Sequence, residues 1–218
     1  MTKIKILLFA VFAICARSSA QAQAQVGIGI KGGINLSNLD GVNSVSVVYD
    51  KRTGYHLGAY AIFKFTKIAI QPEILFSQQG QNFTYNGQNL KSNFDYITVP
   101  VMFKLYLIAG LNLQAGVQVG FLSSSSGDVY NTATSSVQTG QSMDPFVHSV
   151  DWAAPVGIGF DLPFGLNLTA RYNIGISEVN KAAGSTVPPA VVTSMGTSSA
   201  KNQVFQFSVG FRIFKIGS

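Results

Sequence analysis

The sequence predicts an all-β fold, an eight-stranded antiparallel up-and-down transmembrane β-barrel. Eight segments alternate bulky apolar residues with small or polar ones. This period-two pattern is that of a strand with one apolar face and one polar face. Most of the segments run for about 10 residues, the length that a tilted strand needs to cross a bilayer. The connections alternate between tight turns and long loops, which is typical of barrels that cross a membrane.

The clearest segment is the last one, at residues 204–214. Its apolar face carries Phe205, Phe207, Val209, Phe211 and Ile213, and its polar face carries Gln206, Ser208, Gly210 and Arg212. Aromatic and β-branched residues are favoured in strands. We therefore predict that this segment is the eighth strand, with one face in contact with lipid.

The other seven segments repeat this alternation along the chain. Their apolar faces carry, in order, Val26, Ile28 and Ile30 in 26–36; Tyr55, Leu57 and Phe63 in 55–65; Ile68, Ile70 and Ile74 in 68–77; Ile97, Val99 and Val101 in 96–106; Leu111, Leu113 and Val117 in 111–121; Trp152, Val156 and Ile158 in 151–162; and Leu166, Leu168 and Tyr172 in 166–176. The opposite faces are mostly Gly, Asn, Gln, Thr and Lys.

Short and long connections alternate between these segments. Residues 66–67, 108–110 and 163–165 are predicted tight hairpin turns. Residues 37–51, 80–93, 123–149 and 178–201 are predicted long loops, and the two longest are expected to be mobile. Pro72, Pro100 and Pro155 lie inside predicted strands, where each removes a ladder hydrogen bond. We expect these prolines to mark bulges or local breaks in pairing.

The N-terminal residues predict a cleaved secretory signal peptide. Lys3 and Lys5 precede an apolar run at 6–16, and small residues flank the possible cleavage sites after Ala22 and Ala24. The run is too short for a transmembrane helix, which needs about 20 residues. No later segment reaches that length. We assign residues 1–24 to the signal peptide and 25–218 to one barrel domain.

Composition excludes several classes of function. The one cysteine lies inside the signal peptide, so the mature chain has neither a disulfide framework nor a thiolate metal site. The formal charge of +6 includes Lys3, Lys5 and Arg17; without them 12 basic and 9 acidic residues remain, a formal +3. The sequence has no cluster of basic residues of the kind that predicts a nucleic-acid partner.

A soluble lipocalin-like barrel is the alternative architecture, with the apolar face turned inward. The outer surface of such a barrel would consist mainly of Gly, Asn, Gln and Ser. Charged residues make up only 11% of the whole chain. The surfaces of soluble proteins usually carry about 25–35% Lys, Arg, Glu and Asp, which favours the membrane barrel.

Aromatic residues near the strand ends also suggest two bands at bilayer interfaces. One band would hold Tyr55, Phe76, Phe121 and Trp152, and the other Phe65, Phe103, Tyr106, Phe160, Phe164 and Phe211.

Six strings cover nearly all of the mature chain and resemble one family. They are KGGINLS (31–37), GYHLGAY (54–60), QPEILFSQQG (71–80), YITVPVMFKLY (96–106), LNLQAGVQVGF (111–121) and GLNLTARYN (165–173). With them the chain resembles the PorT-like outer membrane β-barrel proteins of Bacteroidota. The resemblance implies a small integral barrel of the cell outer membrane in a Gram-negative bacterium. It does not imply one activity.

Charged residues on the polar faces are the candidate site. Lys31, Glu73 and Arg171 are predicted near mid-height, where Arg171 could reach Glu73 across the interior. Near one rim we place Lys64, Lys104, Asp161 and Arg212. Because eight strands enclose little more than their own side chains, we favour a structural charge network that fills the lumen over a proton or ion relay.

The functional prediction is a structural or interaction role, with a plugged lumen and four extracellular loops. One alternative is a narrow channel or an accessory component of a secretion or transport system. A second is a loop-borne enzyme that uses His148 with Asp144 or Asp151 and Ser123–Ser126, although no spacing motif supports it. The expected partners are outer membrane lipid, the barrel assembly machinery and an unknown extracellular or periplasmic protein. We predict no catalytic residues, no cofactor and no metal.

Overall fold

The computed structural model describes residues 24–40, 47–85, 87–131, 134–144, 147–179, 191–192 and 201–217. The predicted signal peptide lies outside them, apart from Ala24. The strands are β1 (Ala24–Asp40), β2 (Val47–Phe65), β3 (Ile68–Tyr85), β4 (Gln88–Tyr106), β5 (Leu111–Asn131), β6 (Ser136–Ser142), β7 (Val150–Asp161), β8 (Leu166–Gly175), β9 (Val191–Val192) and β10 (Lys201–Ile216). All eight predicted strands are therefore present.

Eight of these strands form a closed antiparallel ring. Neighbours follow the order β4, β3, β2, β1, β10, β8, β7, β5, and pairing between β4 and β5 closes the ring. The two short strands, β6 and β9, pair with the far end of β5 and lie outside the ring order. Closure removes the unpaired edges that an open sheet would expose. The predicted up-and-down eight-stranded barrel is confirmed.

The apolar face of each strand points out of the barrel. On β10, Phe205, Phe207, Val209 and Phe211 are 44–53% exposed, whereas Gln206 and Ser208 are no more than 5% exposed. The same alternation holds on β4, where even-numbered residues are buried from Leu90 to Tyr106. A soluble barrel would bury the apolar face instead. The predicted facing of the strands is confirmed.

The two ends of the barrel differ in their connections. At one end, here called the turn end, β2 is joined to β3 by Thr66 and Lys67, β4 to β5 by 107–110, and β7 to β8 by 162–165. Gly110 has a φ of 88°, and a side chain there would meet the Asp161 carbonyl oxygen at 2.1 Å. The opposite end, here called the loop end, carries the longer connections.

At the loop end, three predicted loops are partly strand. β3 and β4 remain paired from Gly80–Asn93 to Tyr85–Gln88, and β5 continues to Asn131 and pairs with β6. The prediction of loops at 37–51, 80–93 and 123–149 was therefore wrong for most of these residues, since β1 also runs to Asp40 and β2 begins at Val47. Along these extensions most residues are small or polar, with isolated apolar residues such as Phe83 and Leu90, so the alternation that marks strands in the sequence is lost while backbone pairing continues. Most of the fourth predicted loop lies outside the described residues.

Gaps in the ladders lie beside the prolines. Pairing of β2 with β3 stops at Tyr60–Glu73 and resumes at Phe63–Ile70, which leaves out Pro72. Pairing of β5 with β7 likewise omits Pro155, and that of β3 with β4 omits Pro100. The register is the same on both sides of each gap. The predicted local breaks in pairing are confirmed, and each proline keeps its other neighbouring strand.

The part of the chain that the structure describes holds no α-helix long and apolar enough to cross a membrane.

Candidate functional site

A three-residue charge cluster crosses the middle of the barrel. Arg171 Nη2 and Nη1 donate to Glu73 Oε1 at 2.6 Å and to Oε2 at 2.8 Å. Lys31 Nζ approaches the same carboxylate, at 3.2 Å from Oε1. The three residues are 1–3% exposed. Arg171 therefore makes a two-point, charge-assisted contact with Glu73 across the interior.

Three strands on different parts of the ring supply this cluster. Lys31 lies on β1, Glu73 on β3 and Arg171 on β8, each at an inward position of its strand. Gln114 Oε1 accepts from Arg171 Nε at 3.0 Å, and Gln71 Nε2 donates to Glu73 Oε1 at 2.7 Å. Sequence reasoning missed both glutamines, although each shares the inward parity of its charged neighbour.

The charges in this cluster are unequal, with one carboxylate against two cations. Burying an ion costs several kcal/mol unless a partner and hydrogen bonds compensate it. Glu73 receives donors from Arg171, Lys31 and Gln71, so both of its oxygens are engaged. The carboxylate is thus the group that makes burial of both cations tolerable.

A second cluster surrounds Asp161 near the turn end. Tyr106 Oη donates to Asp161 Oδ2 at 2.5 Å, and Lys104 Nζ lies 3.5 Å from Oδ1. Asn112 Nδ2 donates to the same Oδ1 at 3.4 Å. The Lys64 ammonium lies 3.7 Å from the centre of the Tyr106 ring, within the range of a cation–π contact. Asp161 therefore gathers polar side chains of β4 and β5 at this end.

Tyr106 corrects the predicted aromatic bands. It is only 7% exposed and faces the interior, so it is not part of a band at the bilayer surface. Tyr106 lies two residues after Lys104 on β4, so both side chains point into the barrel. The Tyr106 hydroxyl donates a hydrogen bond to Asp161. Phe65, Phe103, Phe160, Phe164 and Phe211 are exposed at this end, as predicted.

On the loop side of Glu73, a neutral hydrogen-bonded layer surrounds His56. Its Nδ1 lies 2.8 Å from Asn35 Oδ1, and its Nε2 lies 2.8 Å from Ser208 Oγ. Asn35 also donates to Ser77 Oγ at 3.0 Å and accepts from Gln206 at 3.1 Å. Both ring nitrogens of His56 are therefore occupied by neutral partners. This layer joins β1, β2, β3 and β10.

An apolar cluster covers the loop side of the interior. Phe94 and Tyr96 of β4 pack with Met143, Val147 and Val179, and all five are at most 1% exposed. The His148 backbone N–H donates to the Val179 carbonyl at 2.8 Å, and Met143 N donates to the Ser125 carbonyl at 3.4 Å. Residues that follow β6 and β8 thus fold against the inner wall of β4.

Two of the residues considered for catalysis contact each other, and the histidine is held separately. Ser125 Oγ hydrogen-bonds Asp144 Oδ1, while His148 is exposed and is anchored through its backbone. Within the described ranges, no group of three or more His, Cys, Asp or Glu residues is placed to hold a metal ion.

Known proteins show the following similarities. A family model for an outer membrane protein beta-barrel domain matches residues 20–180. No curated protein sequence matches the chain. A solved structure of Neisserial surface protein A has a TM-score of 0.49 and 10% identity, covering 87% of this chain and 99% of that chain.

Two further solved structures are similar. Ail, the attachment invasion locus protein of Yersinia pestis, in complex with the heparin analogue sucrose octasulfate, has a TM-score of 0.43 and 14% identity, covering 89% of this chain and 100% of that chain. OprG from Pseudomonas aeruginosa has a TM-score of 0.41 and 11% identity, covering 89% of this chain and 96% of that chain.

Proposed function

Because this chain belongs to the family of outer membrane protein β-barrel domains, we propose that it is an integral outer membrane protein with a plugged lumen and a structural or interaction role. The charge cluster of Lys31, Glu73 and Arg171 carries this proposal, because the Arg171–Glu73 contact of 2.6 Å bridges the interior at mid-height. An eight-stranded barrel is just wide enough for its own side chains.

Two further layers support a closed lumen. The apolar cluster around Met143 lies at the loop side, and the cluster around Asp161 lies at the turn end. Between the first of these and Glu73 lies the neutral layer of His56 and Asn35. Side chains at each of these heights thus extend into the interior, which supports the proposed closed lumen.

In the proposed orientation the turn end faces the periplasm and the loop end faces the cell exterior. Outer membrane barrels have short periplasmic turns and longer extracellular loops. Export by the signal peptide at 1–24, with cleavage after Ala22 or Ala24, is part of the same proposal. Outer membrane lipid and the barrel assembly machinery are the partners that such a protein requires.

The proposed role is to present the four loop-end connections to a partner outside the cell, without catalysis. Ser125 hydrogen-bonds Asp144, whereas His148 is exposed and is held through its backbone N–H by Val179. This arrangement supports the non-catalytic part of the proposal. Membership of the PorT-like branch in Bacteroidota is also proposed, on the strings at 31–37, 71–80 and 96–106. The partner is a protein that cross-linking to the loop end can capture.

Planar-bilayer recording tests the plugged lumen. We expect the purified protein, inserted into a bilayer, to show no stable single-channel conductance, because side-chain clusters at three heights support a closed lumen. The matched comparison is the variant Glu73→Ala/Arg171→Ala, which removes the mid-height bridge while it leaves the apolar cluster in place. Discrete, ion-selective openings of the native protein would overturn the closed lumen and favour the narrow channel.

A further inference from the structure

Three basic residues line the inner wall of the barrel at the turn end. Lys64 on β2 pairs with Gln25 of β1, and on the other side of β1, Arg212 and Lys215 of β10 pair with Gly29 and Gly27. Directly paired residues of antiparallel strands point to the same face. Gln25, Gly27 and Gly29 have the inward parity of β1, so all three cations face inward. We call Lys64, Arg212 and Lys215 the basic trio.

A β-bulge places Arg212 and Lys215 on the same face. Residues three apart in a regular strand point to opposite faces. Here the register between β1 and β10 shifts by one residue between Ile28 and Gly29. Ile213 and Phe214, which are adjacent, are 64% and 55% exposed and thus both point outward. This bulge turns Lys215 inward, and bulges often re-aim a side chain in this way.

Gly27 leaves room for the arginine of this trio. A Cβ atom built on Gly27 would lie 2.7 Å from Arg212 Cδ, which is closer than real Cβ contacts allow. Arg212 therefore passes directly over Gly27, and its Nη1 donates to Gln25 Oε1 at 3.2 Å. The side chain is positioned by a neutral amide rather than by an acid.

The basic trio lacks a dedicated counter-charge. In the described part of the chain no carboxylate lies within 4.0 Å of any of the three. Among the described residues, Asp161 is the acid at this end, and it is engaged by Tyr106, Lys104 and Asn112. Lys64 instead lies against the Tyr106 ring. Three like charges on β2 and β10, the two strands that flank β1, repel one another, and a bound anion would relieve that repulsion.

A small polar cavity adjoins Arg212. It has a volume of about 10 Å³, and its polar lining residues are Tyr60, Gln71, Asn167, Arg212 and the acidic Asp161. This volume is enough for about one water molecule. Asn167 is 5% exposed, and its Oδ1 has no hydrogen-bond partner. The cavity can thus hold one water molecule between Arg212 and the polar side chains of the inner wall.

We propose that the basic trio is a binding site for a phosphate-type oxyanion at the turn-end mouth of the barrel. A guanidinium offers a planar pair of donors that matches phosphate geometry, and lysine ammonium groups add point charges. Lys215 is exposed, so an anion in solution can reach the site from this end. That this solution is the periplasm rests on the orientation proposed above, whereas the anion site itself does not depend on it.

Calorimetric titration of the protein in a zwitterionic detergent with pyrophosphate tests this site. The native protein is expected to bind pyrophosphate saturably, at one site per chain. Arg212→Gln and Lys215→Gln are each expected to raise the dissociation constant about tenfold or more, as for the loss of a charge-assisted hydrogen bond. The matched control is Lys67→Gln, on the exposed β2–β3 turn at the same end, with a change of about twofold or less.

Absence of saturable binding by the native protein would overturn the site, and so would equal weakening by Lys67→Gln, because binding would then reflect only the general charge of this end. Lys215→Gln changes an exposed residue, so a folding defect in Arg212→Gln leaves the test intact.

Repeating the titration in nanodiscs of phosphatidylcholine, with and without phosphatidylglycerol, identifies the source of the anion. Weaker pyrophosphate binding with phosphatidylglycerol assigns a lipid headgroup, and unchanged binding assigns a small soluble anion. The detergent titration does not depend on membrane placement, so its failure is distinct from failure of the proposed function.

Discussion

Replacing Val117 or Ile158 by arginine is expected to cost about 2–4 kcal/mol and to block insertion into the membrane. Val117 on β5 and Ile158 on β7 are 56% and 54% exposed on the apolar outer face. Val117 lies six residues after the turn-end start of β5, near the middle of the lipid-facing band, and Ile158 lies three residues before the turn-end limit of β7. An arginine there would place a charge against hydrocarbon, where no water or acid compensates it.

Two measurements check this expectation. Urea unfolding of the protein refolded in lipid vesicles gives the change in free energy, and fractionation of expressing cells gives the amount in the outer membrane. The control is Ile216→Arg, at the end of β10 and 60% exposed, where the same charge lies at the rim and is expected to cost about 0–1 kcal/mol. Normal assembly of both Val117→Arg and Ile158→Arg would mean that the apolar face does not contact lipid.

The variant Glu73→Ala is expected to destabilise the folded barrel by about 3–5 kcal/mol, because it leaves Arg171 and Lys31 buried without their carboxylate. Both cations are 1% exposed, so water cannot easily replace the lost partner. The unfolding temperature in detergent, followed by circular dichroism, should fall accordingly. We expect no gain in conductance, because the apolar cluster and the Asp161 cluster remain.

Gln118→Ala is the matched control for Glu73→Ala. Gln118 faces the interior on β5 and is 7% exposed, but it carries no charge. Its replacement removes a similar volume without leaving a buried ion, so its effect should be clearly smaller. An unchanged unfolding temperature of Glu73→Ala, or a conducting variant, would contradict the structural role of the cluster.

The sequence predicted the lipid-facing part of the fold well because one physical demand governs it. Wherever a strand contacts lipid, every second residue must be apolar, and this alternation is visible from Ile97 to Phe103 and from Phe205 to Phe211. Beyond the bilayer that demand ends. The extensions of β3, β4 and β5 past Gly80, Asn93 and Ser123 were therefore not recognised as strands.

Contacts within the interior were harder to predict. Counting residues placed Lys31, Glu73 and Arg171 at one height, because height follows from position along a strand. The contacts of Gln71, Gln114 and His56 depend on side-chain conformations that parity alone does not determine. The bulge at Ile213 was also missed, since two adjacent apolar residues at a strand end have no distinct signature. Lys215 was consequently not assigned to the interior.

The outward direction of the apolar faces is the central claim, and fluorescence quenching by brominated lipids tests it most directly. Trp152 is the only tryptophan, so Val117→Trp in a Trp152→Phe background gives a single probe at mid-height of β5. If the outer face contacts acyl chains, bromines placed deep in the bilayer should strongly quench this probe, and iodide in the aqueous phase should not. Quenching by iodide without quenching by brominated lipid would contradict the claim.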